Sequence, residues 1–137
     1  MLQCSPKSKR CHKGHWRAMT RDDTFELYDL KVRIEEIRGT CTCDHEVGQY
    51  FVLKGGKLSL PAGQSFCLYA LASTLPLLPT KQRPLHPNDW MSTDARIICP
   101  DPLCGVVMLI ERVGQRTLHH GDVSAVPLQD AESAPDA

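Results

Sequence analysis

Between Tyr28 and Ile34 the chain alternates without a break. Tyr28, Leu30, Val32 and Ile34 fall on one face of an extended segment, and Asp29, Lys31 and Arg33 on the other. Successive strand side chains point to opposite faces, so this pattern requires a half-buried strand with its polar face in water. The adjacent Glu35 and Glu36 interrupt the period and Ile37 resumes on the other parity, which predicts a bulge or a strand end there. Gly39 then turns the chain into the loop 41–51.

The remaining elements follow from local chemistry. A second strand is expected from about Tyr50 to Leu53. Gly55-Gly56 between strand-like runs is a two-residue hairpin signal, because both central residues can take positive φ. Leu58 and Leu60 continue the return strand, which Pro61-Ala62-Gly63 ends. Ser65 reads as a helix N-cap that places Cys67 in the first turn. Phe66, Ala70, Leu71, Ala72 and Leu75 make that helix apolar around its circumference and therefore well buried, and Pro76 and Pro79 close or kink it. Residues 80–95 form a polar, proline-containing connection. Arg96 to Cys99 is a short strand ended by Pro100-Asp101-Pro102. Val106 to Val113 is the strongest strand of the chain, its unbroken apolar start predicting a central position covered on both faces.

These elements add up to an α+β fold: a single small domain with a mainly antiparallel curled sheet, or partial barrel, of about five strands packed on one main helix. The expected organisation is a disordered basic leader over 1–24, the domain over 25–114 and a disordered acidic tail over 115–137. In the leader, Lys7, Lys9, Arg10, Lys13, Arg17 and Arg21 stand against Asp22 and Asp23; the last twenty residues hold four acidic side chains and no Lys or Arg. The formal net charge is zero. A balanced chain gives no electrostatic reason to expect nucleic acid or an anionic membrane as partner. No run of about 18 apolar residues is present, so no membrane-spanning helix is expected. The basic N-terminus has no apolar segment behind it and does not read as a secretory signal. A cytoplasmic location is the expectation.

In such a compartment seven cysteines point to reduced thiols, metal ligands or catalysis rather than to a disulfide framework, and their odd number leaves at least one unpaired within a single chain. Cys41, Cys43 and His45 fall within five residues of one loop. Cys67 and Cys99 sit at element ends from which they can fold back towards it. At a helix start, Cys67 would lie beside free backbone donors and the positive end of the helix dipole, which favours its thiolate. Cys43 and Cys104 read as volume-filling thiols. Cys4, Cys11, His12 and His15 in the leader lack the spacing of a closed metal site.

With these residues placed, the chain resembles a family of small, functionally uncharacterised, mainly bacterial and archaeal proteins. Their shared pattern runs Tyr-Asp-Leu-Lys-Val, then Gly-x-Cys-x-x-Gly-His-x-x-Gly-Asp-x-Phe, then Cys-Pro-x-Ala-Leu, then Cys-Pro-Asp. The matching residues here are Tyr28 to Val32, Gly39, Cys41, His45, Gly48, Phe51, Cys67, Ala70, Leu71 and Cys99-Pro100-Asp101, over about residues 27–113. Asp44 stands where the family has a loop glycine, Gln49 where it has an aspartate, and Leu68 where it has a proline. The resemblance implies no activity, but it singles out Cys41, His45, Cys67 and Cys99.

Three functions are compatible with these residues. The first is a zinc-like metal site of Cys41, His45, Cys67 and Cys99, since thiolate and imidazole suit zinc or another soft transition metal. The second is a thiol-dependent accessory enzyme acting on a small-molecule substrate, with Cys67 as nucleophile and His45 as general base. The third is a non-catalytic structural or interaction protein in which the thiols fill volume and His45 hydrogen-bonds a neighbour. The first two require the four side chains to meet in space.

Overall fold

The computed structural model describes residues 22–129. The basic leader with Cys4, Cys11, His12 and His15 and the end of the acidic tail lie outside them. The described chain forms two compact units, one of residues 26–116 and one that includes residues 22–25 and 117–129.

The described strands form one antiparallel sheet, most of whose residues belong to the larger unit. The strands are β1 (Thr24–Ile37), β2 (Tyr50–Lys54), β3 (Lys57–Ser59), β4 (Arg96–Ile98) and β5 (Val106–His119), in the order β3-β2-β1-β5-β4. The order ends on β3 and β4, so the sheet is open rather than a closed barrel. Alternation in β1 works as expected: Leu30, Val32 and Ile34 are fully buried, and the intervening residues are half-buried. Val32 lies opposite Phe51 in β2, and Lys54 opposite Lys57 across the Gly55-Gly56 turn. Val106, Val107 and Met108 are all buried at the start of β5, which runs between β1 and β4. Fully burying side chains of this size stabilises the fold by about 1.5–3 kcal/mol each.

Several expectations need correction. β1 continues through Glu35 and Glu36 to Ile37, which removes the strand end, one of the two alternatives expected there. β5 does not end at Val113 but runs to His119. Polar residues prolong it because the ladder bonds of a strand are made by backbone, which any sequence supplies. The helix is not one well-buried element. Helix α1 (Leu68–Thr74) buries only Ala70 and Thr74, while Leu68 and Tyr69 are about 70% exposed. A separate short helix, α2 (Leu78–Lys81), follows with Pro79 in its first turn, where a missing N–H costs nothing. The connection after it is not simply a polar loop. Lys81 and Gln82 are buried: Lys81 Nζ donates to the carbonyl of Met91, and Gln82 Nε2 donates to that of Gly55 at 2.8 Å. A 3-10 turn, Trp90–Ser92, is capped by Asp89, whose carboxylate accepts from Met91 N–H at 2.9 Å.

In the smaller unit, α3 (His120–Val123) begins where His120 N–H donates to the Asp23 carbonyl at 2.8 Å. His119 Nδ1 lies 2.8 Å from the Asp23 carboxylate, which raises the imidazole pKa. Among the described residues no helix is long and apolar enough to cross a membrane.

Two glycines determine how the ends of β1 and β5 meet. Arg38 N–H donates to Gly105 O at 2.9 Å, Gly39 N–H to Cys104 O at 3.2 Å and Thr40 N–H to Leu103 O at 2.9 Å. The backbones approach so closely that a Cβ on Gly39 would fall 2.1 Å from Leu103 O, and one on Gly105 2.7 Å from Gly39 N. Gly105 also has a φ of 66°, in the left-handed region open to glycine. This crossing sets the loop that begins at Cys41 beside the turn that runs from Cys99 to Cys104.

Candidate functional site: a thiol-lined cavity

Beyond that crossing lies a cavity of about 410 Å³. All four residues expected to converge line it: Cys41, His45, Cys67 and Cys99. Cys43 and Cys104 line it as well, so every cysteine among the described residues reaches one cavity, and each is a free thiol. Tyr69, Ala70, Pro100, Asp101 and Val106 are further parts of the wall.

His45 is 8% exposed, and both of its ring nitrogens are engaged. Gln49 Oε1 lies 2.9 Å from Nδ1 and also accepts from Glu46 N–H at 3.2 Å. That second bond identifies Oε1 as an acceptor, so Nδ1 carries the proton and donates. Nε2 then offers a lone pair, which accepts from Cys67 N–H at 3.0 Å. Phe66 packs on the ring at 4.7 Å between centroids and meets Phe51 edge-on at 5.0 Å, joining the imidazole to the core. The loop reaches this geometry through Asp44, which holds a φ of 56°. Aspartate is among the few non-glycine residues that adopt this region readily.

His45 makes the neighbour hydrogen bonds of the third reading: its Nε2 lone pair accepts from the backbone N–H of Cys67, the residue that the second reading has it activate. Its effect is positional: it fixes the Cys67 backbone at the start of α1. Among the described residues no group of three or more His, Cys, Asp or Glu side chains has the arrangement of a metal site.

Cys67 is itself the N-cap of α1, rather than a residue of its first turn capped by Ser65. Its side chain closes no capping hydrogen bond. Burial pushes the thiol up, but the Ala70 N–H, the Cys43 thiol and the Tyr69 N–H together outweigh it, and the pKa lies below its ordinary value of 9.0. Cys43 is the complementary partner. Its thiol faces Cys67 as a proton donor, and that contact, followed by desolvation and the charge of the neighbouring sulfurs, pushes it up to about 11. The contact acts on the pair in opposite directions, lowering the Cys67 thiol and raising that of Cys43.

The second group of thiols lies deeper. Cys99 and Cys104 are each 5% exposed. Cys104 faces both Cys41 and Cys99, and burial, reinforced by those two contacts, holds it protonated up to about 11. Such a thiol is inert by comparison with Cys67.

Cys43 and Cys104 are the residues that sequence reasoning passed over. A signal was present for each. Cys43 lies two residues from Cys41, a spacing that turns both to one side where a loop is extended. Cys104 closes the Pro100-Asp101-Pro102 turn opposite Cys99, where Leu103 N–H donates to Asp101 at 2.9 Å and Cys104 N–H to the Asp101 carbonyl at 3.1 Å.

Fold and cavity together define a class: a small α+β domain with an open antiparallel sheet and a thiol-lined cavity at the crossing of two of its strands. No family model, curated protein or solved structure matches the chain.

Proposed function

We propose that this chain is a reactive-thiol domain, in which Cys67 acts as a nucleophilic thiolate on a small molecule admitted to the cavity. Cys43 is its proton-holding partner, and His45 is the residue that positions it. One observation carries this reading: Cys67, the N-cap of α1, shares a cavity with four other thiols, a setting in which the Ala70 N–H, the Cys43 thiol and the Tyr69 N–H lower its pKa against burial. The thiolate is the nucleophilic state of cysteine, and a depressed pKa raises its share at any pH below the ordinary value. A cavity of about 410 Å³ is within the range that takes small molecules. A purely volume-filling role fits the buried Cys99 and Cys104, but leaves unexplained why the half-exposed Cys67 is held in a setting that favours charge.

The test is alkylation of the reduced full-length chain with iodoacetamide between pH 5 and 10, with each cysteine followed by peptide mapping. Cys67 is expected to react at least roughly tenfold faster than Cys43, Cys99 and Cys104 at pH 7, with its half-maximal rate below pH 9. Uniformly slow thiols would overturn the reading in favour of a structural role. An equivalent of zinc that copurifies, blocks Cys67 and is lost in Cys67→Ser would overturn it in favour of a metal site, whose ligands would then be thiolates rather than His45.

A further inference from the structure

The proposed nucleophile does not stand alone, and what stands beside it limits the substrates it suits. Five thiols line the one cavity, and Cys43 is the exposed one among them; its influence on the Cys67 thiol marks it as that residue's neighbour. A second thiol in contact with a nucleophilic cysteine favours its thiolate, but simple alkylation or acyl transfer does not consume it. It is required when the covalent intermediate on the first cysteine is to be released by a thiol rather than by water. The deeper thiols are poorly placed for this: Cys99 and Cys104 are almost fully buried, and the contacts of Cys104 are with Cys41 and Cys99.

Resting on the reactive-thiol reading, we infer that Cys67 and Cys43 form a dithiol that exchanges with low-molecular-weight disulfides, Cys67 attacking and Cys43 resolving. The Cys67 thiolate attacks one sulfur of a disulfide RSSR. The S–S bond breaks, a Cys67–SR bond forms, and one RS⁻ leaves. The departing thiolate takes the Cys43 proton. Cys43 then attacks the Cys67 sulfur, forming the Cys43–Cys67 disulfide and expelling the second RS⁻, which is protonated from water. The protein dithiol loses two electrons, and RSSR gains them to become two RSH. The two steps follow in order because the first removes the negative charge from Cys67, and that charge is part of what keeps Cys43 protonated.

The wall of the cavity adds a preference among disulfides. Apart from the thiols and the neutral His45, its ionisable side chains are Asp101, which is acidic, and the phenol of Tyr69; none is cationic. A neutral or cationic disulfide is therefore favoured over an anionic one of similar reactivity.

The experiment treats the reduced full-length chain with cystamine and, separately, with oxidised glutathione, and locates the products by peptide mapping. With cystamine the expected result is a Cys43–Cys67 bond and release of two cysteamine molecules for each such bond formed. The initial rate should exceed that with oxidised glutathione by roughly tenfold, a gap that narrows as salt is added. Cys43→Ser is expected to stop at a cysteamine adduct on Cys67. A wild-type chain that keeps the adduct on Cys67, or that joins Cys67 to Cys41 instead, overturns the inference. If Cys67 is alkylated rapidly yet forms neither adduct nor bond with either disulfide, the exchange is wrong and the reactive-thiol reading stands. If Cys67 is sluggish towards iodoacetamide as well, both fail.

Discussion

His45 occupies a position where three hydrogen-bonding choices are linked. Glu46 N–H orients the Gln49 amide, the amide oxygen takes the Nδ1 proton, and the Nε2 lone pair is left for Cys67 N–H. Removing the imidazole would strand a half-buried backbone donor, leave the Gln49 oxygen with Glu46 N–H alone and empty the space against Phe66. An unsatisfied buried polar group costs about 1–3 kcal/mol, so His45→Ala is expected to lose about 2–3 kcal/mol in urea denaturation. It should also slow alkylation of Cys67, because the start of α1 loses its anchor. A His45→Ala variant with unchanged stability would show that the imidazole is free in solution. Asp44 allows a milder test at the same scale. Its positive φ is a conformation that glycine adopts without steric cost, whereas a β-branched residue there is strained by about 1–2 kcal/mol. Asp44→Val should lower the melting temperature by several degrees, and Asp44→Gly should leave it unchanged or slightly raised. A fall in Asp44→Gly as large as in Asp44→Val would refute the account.

The crossing of β1 and β5 is the element-scale feature on which the cavity depends. Adding one methyl at Gly39 would drive a carbon to 2.1 Å from a backbone oxygen that belongs to the Cys99–Cys104 turn and cannot swing aside. Gly39→Ala is expected to cost about 2–3 kcal/mol, by strain or by breaking the three hydrogen bonds that follow Arg38. It should also raise the reactivity of Cys104 towards iodoacetamide as the turn lifts away; a Gly39→Ala chain with wild-type stability and a protected Cys104 would show that the crossing is loose. Sequence reading reached much of this level. Alternation over Tyr28 to Ile34 and Gly55-Gly56 were legible because each encodes its structure locally, one by parity and one by the φ that a turn requires. The character of α1 was not legible. Phe66, Leu71 and Leu75 suggested burial by hydrophobicity alone, but a seven-residue helix has too few turns for periodicity to say which side faces the core, and Leu68 and Tyr69 lie exposed. The site was half legible for a related reason. Cys41 and His45 were marked by their clustering in one loop, and Cys67 and Cys99 by their places at element ends. The direction of the His45 lone pair and the contact of Cys43 with Cys67 depend on loop conformation, which no residue pattern encodes.

At the scale of the whole molecule the thiols link stability to pH, and the two kinds of thiol act in opposite directions. Cys104 and Cys43 stay protonated up to about 11 in the folded chain, against 9.0 for an ordinary thiol. Between those values the folded state binds more protons than the unfolded one, so raising the pH favours unfolding. Cys67 has a folded pKa below 9.0. Its contribution is fully present above 9.0 and is lost as the pH falls through the folded value, because there the unfolded chain holds the extra proton. Lys81 acts in the same direction as Cys67: burial, with Arg112 nearby, lowers its pKa from 10.5, so its charging penalty is relieved as the pH rises towards that value. The two thiols that resist ionisation dominate at the alkaline end. The melting temperature of the reduced chain is therefore expected to drop by several degrees between pH 9 and 11. Cys104→Ala should begin lower, because it leaves a small cavity, yet fall less steeply over that window, since the buried proton it removes is the one that the unfolded chain gives up. Equal slopes for the wild-type and Cys104→Ala chains would mean that Cys104 ionises freely in the folded state, and that the deep half of the cavity is open to water.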